Sequence, residues 1–234
     1  MKSVSHDEQK RMWEKEHRKP YVLLPMDSNL PSSGVRMFWD WLLESSLKTN
    51  ALRGVEMGCG KGRNCMLLAS HAVKMTGFDF SKSAIKEATK RAAQAKINNI
   101  DFIVSDATKS WPFESNQFDF AVDCFASTDI ESEQGRAFAR NELLRVIKPG
   151  GYFFIYTLST DDEFHKEMIK TSPSSQKNSF THPTTGKFEK VFERDELISL
   201  YSDFTLIHEK RVQKNASFHG KEYKCSHFWM IFQK

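Results

Sequence analysis

The chain has 234 residues, 39% hydrophobic and 27% charged, with a formal net charge of +4. That size suits one large α/β domain with additions, and the composition excludes a disordered chain. No apolar run approaches the roughly 20 residues of a bilayer span. Cys59, Cys65, Cys124 and Cys225 have no Cys-x-x-Cys spacing, and the eight histidines are scattered, so free thiols and no metal site are expected.

Residues 1–34 precede the first predicted strand and form an N-terminal helical cover in this reading. Met1 to Pro20 is dense in charge and lacks the apolar core of a secretion signal, which makes a cytoplasmic location the expectation. Gln9 to Lys19 reads as a polar helix with Trp13 as its large apolar residue. Tyr21 to Leu24 is an apolar patch, interrupted by Pro25 and Pro31. Val35, Phe38, Trp39, Leu42, Leu43 and Leu47 recur at helical spacing. Leu52 to Met57 then reads as a short buried strand, and Arg63 to His71 as a helix.

Between them lies Glu56-Met57-Gly58-Cys59-Gly60-Lys61-Gly62-Arg63-Asn64. Glycine reaches backbone angles that other residues avoid and has no side chain to block a ligand. A strand, a glycine turn and a helix start together aim backbone N–H groups at whatever sits above the sheet edge. A P-loop needs Ser or Thr after Gly-Lys, and Lys61 is followed by Gly62. The dinucleotide fingerprint needs a glycine where Arg63 stands. The segment closely resembles instead the Glu-x-Gly-x-Gly-x-Gly loop of class I S-adenosylmethionine (SAM) methyltransferases.

Later residues extend the resemblance in order from about residue 50 to 158. Asp79 follows an apolar run from Val73 and lies twenty-one residues beyond Gly58, the distance of a ribose-binding carboxylate. Phe80 is placed to pack on adenine, and Ser81 or Ser83 to cap a helix running to Ala95. Ile100 to Val104 is a third strand closed by Ser105-Asp106-Ala107, and the family places that acid at the adenine amino group. Gln117 to Phe125 is a fourth strand, preceded by Trp111-Pro112-Phe113, and its end abuts the methyl donor in the family. Ser132 to Ile147 is a helix stopped by Pro149 and Gly150-Gly151, with a fifth strand after it. Each residue also has a plainer reading: Asp79 and Asp106 as helix caps, Glu56 as a solvated strand-end charge, Phe80 as core.

Ser159 to Lys190 is rich in Ser, Thr, Lys and Pro and long for a connection, so it reads as a lid-like insertion. Glu193 to Tyr201 is a short helix. Phe204 to Val212 and His227 to Gln233 are two strands joined by a polar loop, matching the family's antiparallel end. Lys210, Arg211, Lys214, Lys221, Lys224 and Lys234 make this end basic, either as a phosphate-binding face or as solvated lysines guarding a sheet edge.

The resemblance implies a Rossmann-like α/β fold over residues 35–234, a seven-stranded, mostly parallel sheet with an antiparallel last strand and helices on both faces. It implies SAM as cofactor and S-adenosylhomocysteine as product. The implied cofactor residues are Trp13, Glu56, Gly58, Cys59, Gly60, Gly62, Asn64, Asp79, Phe80, Ser81, Asp106, Ala107, Asp123 and Cys124. Trp13 enters because its helix resembles the donor-covering helix of thiopurine- and tellurite-type methyltransferases. The acceptor should meet the segment Asp123 to Asp129. There Asp123 is a candidate to face the donor, and Asp129 to take a proton or to cap the next helix. His165 and His182 are candidate bases or ordinary surface histidines. Direct in-line transfer needs no nucleophile, so none is assigned to Cys124. The single domain, modest charge, covering segments and absence of Asn-Pro-Pro-Tyr and Asp-Pro-Pro-Tyr favour a small-molecule acceptor, and a monomer or homodimer is the expected state. The alternatives are a methyltransferase of RNA or protein and a SAM-binding regulator without turnover.

Overall fold

The protein was analysed as a computed structural model that describes residues 3–18, 29–45, 51–218 and 220–234. Strands β1 (Arg53–Met57), β2 (Lys74–Asp79), β3 (Ile100–Val104), β4 (Phe118–Cys124), β5 (Ile147–Leu158), β8 (Thr205–Phe218) and β9 (Lys221–Gln233) form one sheet in the order β3-β2-β1-β4-β5-β9-β8. The first five are parallel, and β9 runs antiparallel to both β5 and β8. The inner strands are apolar on both faces because helices cover both. Helices α2 (Ser33–Glu44) and α3 (Arg63–Ser70) lie on one side, where Phe38 stacks on Phe154 at 4.5 Å and meets Phe120 edge-on at 5.5 Å. Burying that one ring contributes roughly 1.5–3 kcal/mol. Helices α5 (Glu133–Val146) and α7 (Arg194–Leu200) cover the other face, with Leu143, Leu197 and Tyr201 against Phe153 and Phe232.

Helix α4 (Lys82–Gln94) is capped by Ser81, whose Oγ accepts from the Ala84 N–H, and α5 by Ser132. Helix α1 (His6–Arg18) matches the polar helix expected around Trp13. Tyr21 to Leu24, Pro25 and Leu47 lie outside the described residues.

The segment 159–190, expected as a lid-like insertion, holds α6 (Glu163–Thr171) and a two-stranded sheet of β6 (Ser179–Thr181) and β7 (Phe188–Lys190). Asp162 caps α6, and Phe180, Phe188, Val191 and Phe192 are buried, so the segment has its own apolar anchor. The helix after the Ser132 cap runs to Val146, within one residue of the expected end, and Ile147 already pairs with Phe118. The polar loop between the last strands is instead sheet, with β8 and β9 paired from Thr205↔Gln233 to Phe218↔Lys221.

Candidate functional site

Strands β1, β2 and β4 end level with one another, Met57 in register with Phe78 on one side and with Asp123 on the other. The glycine loop leaves this edge with Gly58, Gly60 and Gly62 all at positive φ, +62°, +53° and +78°. A Cβ on Gly58 would sit 2.6 Å from Ala126 Cβ, and one on Gly62 2.5 Å from Phe102 Cζ. At Gly60 a Cβ would meet only His17 Cε1, at 3.5 Å, so this is the open part of the loop.

Asp79 fastens the loop. Its Oδ2 accepts from the Gly60 N–H at 3.0 Å and its Oδ1 from the Ser81 N–H at 2.8 Å. Burial, opposed by these bonds, pushes its carboxyl up to about 6. It is not the α4 cap, since Ser81 holds that place. Phe80 belongs to neither face of the core; the Lys10 ammonium lies 5.7 Å above its ring.

Asp106 opens a turn rather than a helix. Its Oδ1 accepts from the Thr108 N–H and hydroxyl, and its Oδ2 meets His6 Nε2 at 2.8 Å and Lys10 Nζ at 2.9 Å. Against the opposing desolvation, these partners hold its carboxyl well below the usual range. Ala107 is partly buried, and its carbonyl accepts from Trp111 Nε1.

Glu56 is not solvated. It is 2% exposed, accepting from Asn64 Nδ2 and Cys65 Sγ at 2.8 Å each, and burial pushes its carboxyl up to about 7. Asn64 Oδ1 in turn accepts from the Ser32 N–H, tying the segment before α2 to the loop. Cys59 does not face the open side: it is buried with its N–H spent on the Phe78 carbonyl. Desolvation pushes its thiol up to about 11 and that of Cys124 up to about 12.

Beyond β4 the roles shift from expectation. Asp123 is fully buried; its Oδ1 accepts from the Ala126 and Ser127 N–H groups while Oδ2 has no partner. This carboxylate shapes the turn at Ala126–Asp129. Asp129 is not the α5 cap, which is Ser132. It lies near Glu189 and Lys187, and burial followed by the Glu189 charge pushes its carboxyl up. His182 Nδ1 accepts from the Thr184 and Thr185 N–H groups, a turn-forming role. His165 is buried, its Nδ1 2.9 Å from Asp162 Oδ1.

Helix α1 crosses the edge from Asp106 to the glycine loop. Glu14 accepts from the Ser81 and Ser83 hydroxyls at 2.6 Å each, and Gln9 exchanges hydrogen bonds with the Phe188 backbone at 2.9 Å. Trp13 packs under the Lys187 ammonium, 3.5 Å from the ring centroid, with its buried Nε1 unpartnered. Residues 6 to 17 thus contribute His6, Lys10 and Glu14 to a site whose sequence signal lay only in Trp13.

An open glycine turn, a carboxylate at the end of β2 gripping that turn, an uncommitted Phe80 ring and an orphaned indole N–H fit an adenosyl ligand. With the strand order above, they define a class I SAM-dependent methyltransferase, with SAM as cofactor. The chain belongs to the methyltransferase domain family, whose family model, described as "Methyltransferase domain", matches residues 48–197. It is similar to a sterol 4-C-methyltransferase of Caenorhabditis elegans, 26% identical over 162 residues, 64% of this chain and 48% of that protein. It is also similar to the ubiquinone/menaquinone biosynthesis C-methyltransferase UbiE of Cereibacter sphaeroides, 30% identical over 138 residues, 56% of this chain and 53% of that protein. The chain thus spans about half the length of these curated relatives. A solved SAM-dependent methyltransferase of Methanosarcina mazei superposes with a TM-score of 0.71 at 25% identity, over 82% of this chain and 96% of that one.

Proposed function

We propose that the protein transfers a methyl group from SAM to a small-molecule acceptor by in-line displacement and releases S-adenosylhomocysteine. The carrying observation is the Asp79–Gly60 contact, which sets the loop amides and a ribose-binding carboxylate side by side at the sheet edge. Bound SAM supplies an activated methyl, so the chain's task is alignment and exclusion of water. Gly58, Gly60 and Gly62 let the ligand approach the backbone. Asp79 and Asp106 accept hydrogen bonds at the ribose and adenine ends, and Phe80 supports the ring.

Helix α1 and the α6–β7 segment act as covers over this edge, which supports an acceptor small enough to be enclosed. The methyl-transferring relatives named for sterols and quinones support the same class of acceptor. Much of the basic charge near the end is already engaged: Arg211 lies on the Phe228 face at 3.4 Å and Lys234 donates to the Ile147 carbonyl. That supports edge lysines over a nucleic-acid face.

Calorimetry with SAM and S-adenosylhomocysteine tests the cofactor half. Release of S-adenosylhomocysteine across a panel of thiols, amines, phenols, carboxylates and metalloid anions tests the acceptor half. Binding without turnover on the panel, joined by turnover on tRNA or on a protein extract, would overturn the small-acceptor reading.

A further inference from the structure

Three charged side chains gather between the end of β4 and β7, under α1, without touching one another. Asp129 closes the turn after β4, and Lys187 and Glu189 flank Phe188 at the start of β7. The Glu189 and Lys187 charges both act on Asp129, and Lys187 acts on Glu189. Gln9 ties the three elements together, its Nε2 donating to the Asp129 carbonyl at 3.0 Å and to the Phe188 carbonyl at 2.9 Å. Among the described residues, no hydrogen bond or ion pair reaches the Asp129 carboxyl, the Glu189 carboxyl or the Lys187 ammonium. Lys187 is 3% exposed and rests on the Trp13 ring, whose buried Nε1 is also without a partner. Asp129 and Glu189 keep accessible surface, and so do Cys124, Phe125 and Ala126 leading into the turn. The two carboxyls therefore open onto space at the end of β4 and not into packed core.

We infer that this recess is the acceptor subsite, and that the Asp129–Glu189 pair selects a small organic cation, a molecule carrying a protonated amine or a guanidinium. This rests on the methyltransferase reading. Asp79, the proposed ribose acid, is near enough for its charge to act on Asp129, which sets the recess beside the donor. Two carboxyls against one ammonium leave a surplus of negative charge where water is scarce. A charge buried without a partner is costly, and a hydrogen-bonded cation removes that cost. A neutral ligand leaves the pair unmatched, and an anionic one adds repulsion.

The surrounding charges do not neutralise the pair. Burial first and the Glu189 charge second push the Asp129 carboxyl up; Lys187 opposes them, while Asp123 and Asp79 add to the rise. Burial likewise pushes the Glu189 carboxyl up, opposed by His165 and then Lys187. His165 is shared with Asp162, whose Oδ1 lies 2.9 Å from its Nδ1. Lys187 has a flexible four-carbon stem, and in a purely structural cluster it would close onto one of the carboxyls. It stays instead on the Trp13 face, 3.5 Å from the ring centroid, where the aromatic quadrupole holds an ammonium. That seat leaves both carboxyls to a ligand.

The test uses the full-length protein saturated with S-adenosylhomocysteine at neutral pH. Carbon spectra follow the side-chain carboxyls, with Asp129→Asn and Glu189→Gln assigning the two signals. Methylammonium chloride should move both signals saturably, with a Kd on the order of millimolar, while equal sodium chloride should not. In calorimetry, phenethylamine should bind wild type at least about 10-fold more tightly than 2-phenylethanol or phenylacetate, which match its shape but not its charge. Each variant should lose most of that preference and keep its affinity for S-adenosylhomocysteine. Unmoved carboxyl signals, or no preference for phenethylamine, overturn the cation subsite. An equal loss of S-adenosylhomocysteine affinity in the variants assigns the pair to the cofactor and overturns it as well. Calorimetry with S-adenosylhomocysteine alone separates the two layers. No binding by wild type defeats the methyltransferase reading, while the carboxyl response to methylammonium remains measurable in the free protein.

Discussion

Glu14→Gln isolates what holds α1 on the cofactor edge. Glu14 sits at the N-terminus of α4, where it accepts from the Ser81 and Ser83 hydroxyls and, at 3.3 Å, from the Ser83 N–H. Against the opposing desolvation, these bonds and Arg18 pull its carboxyl down from 4.5 to about 2. Taken in full, such a shift is worth about 3 kcal/mol. The side chain is 24% exposed, and screening by solvent reduces the figure to about 1–2 kcal/mol. Helix α1 keeps its Gln9 and Lys10 contacts in the variant, so the loss appears as local opening and not as unfolding of the sheet. Hydrogen exchange should therefore show the α1 amides roughly 5–30-fold less protected in Glu14→Gln, with β4 and β5 unchanged. The pH dependence has a definite sign. The folded carboxyl is depressed, so its stabilisation is complete above 4.5 and disappears as pH falls toward 2. Asp106 loses its pairing with Lys10 in the same acidic range, and so the difference between wild type and variant carries the Glu14 part. Equal α1 protection in the two proteins at neutral pH would refute the reasoning.

Asp79→Asn should weaken S-adenosylhomocysteine binding about 10–100-fold by calorimetry, the worth of a charged hydrogen bond. The same change sets an amide NH2 against one of the two backbone N–H groups of Gly60 and Ser81, which should cost roughly 1–3 kcal/mol of stability. The folded Asp79 carboxyl is raised from 3.8 to about 6, so wild-type stability falls as pH rises through that interval, a decline that thermal unfolding of the variant should lack. Glu56→Gln should remove a similar decline, between 4.5 and about 7, while leaving Asn64 a side-chain acceptor. Gly62→Ala and Gly150→Ala both place alanine at positive φ, +78° and +77°, but only the first would strike a neighbour, Phe102 Cζ at 2.5 Å. Gly150→Ala should cost about 1 kcal/mol in denaturant unfolding, and Gly62→Ala clearly more. Equal costs would show that the Phe102 ring yields freely.

Much of the cofactor edge was legible in the sequence because its signals are local. The glycine spacing, the Ser81 cap and the apolar runs of β1, β2 and β4 each depend on neighbours a few residues away. What the sequence hid depends on distant pairs. His6 reaches Asp106, Gln9 reaches Phe188 and Tyr156 reaches His227, and no periodicity links such positions. The elements inside segment 159–190 went unread for a related reason: β6 and β7 have three residues each, too few for an alternating pattern to register. A usable signal for α6 was present in Asp162-Glu163, an acidic cap followed by an acidic first turn. The last hairpin was shortened because its outer half alternates lysine and other polar residues, as a solvent-facing edge must. The division has a consequence for reading related chains. The residues proposed for the cofactor lie largely in backbone turns and strand-end acids, which local rules detect. In the proposed function, the groups that close the site come from α1 and the α6–β7 segment, which converge only in three dimensions. On that proposal, the choice of acceptor is written in the part of the chain that sequence patterns describe least.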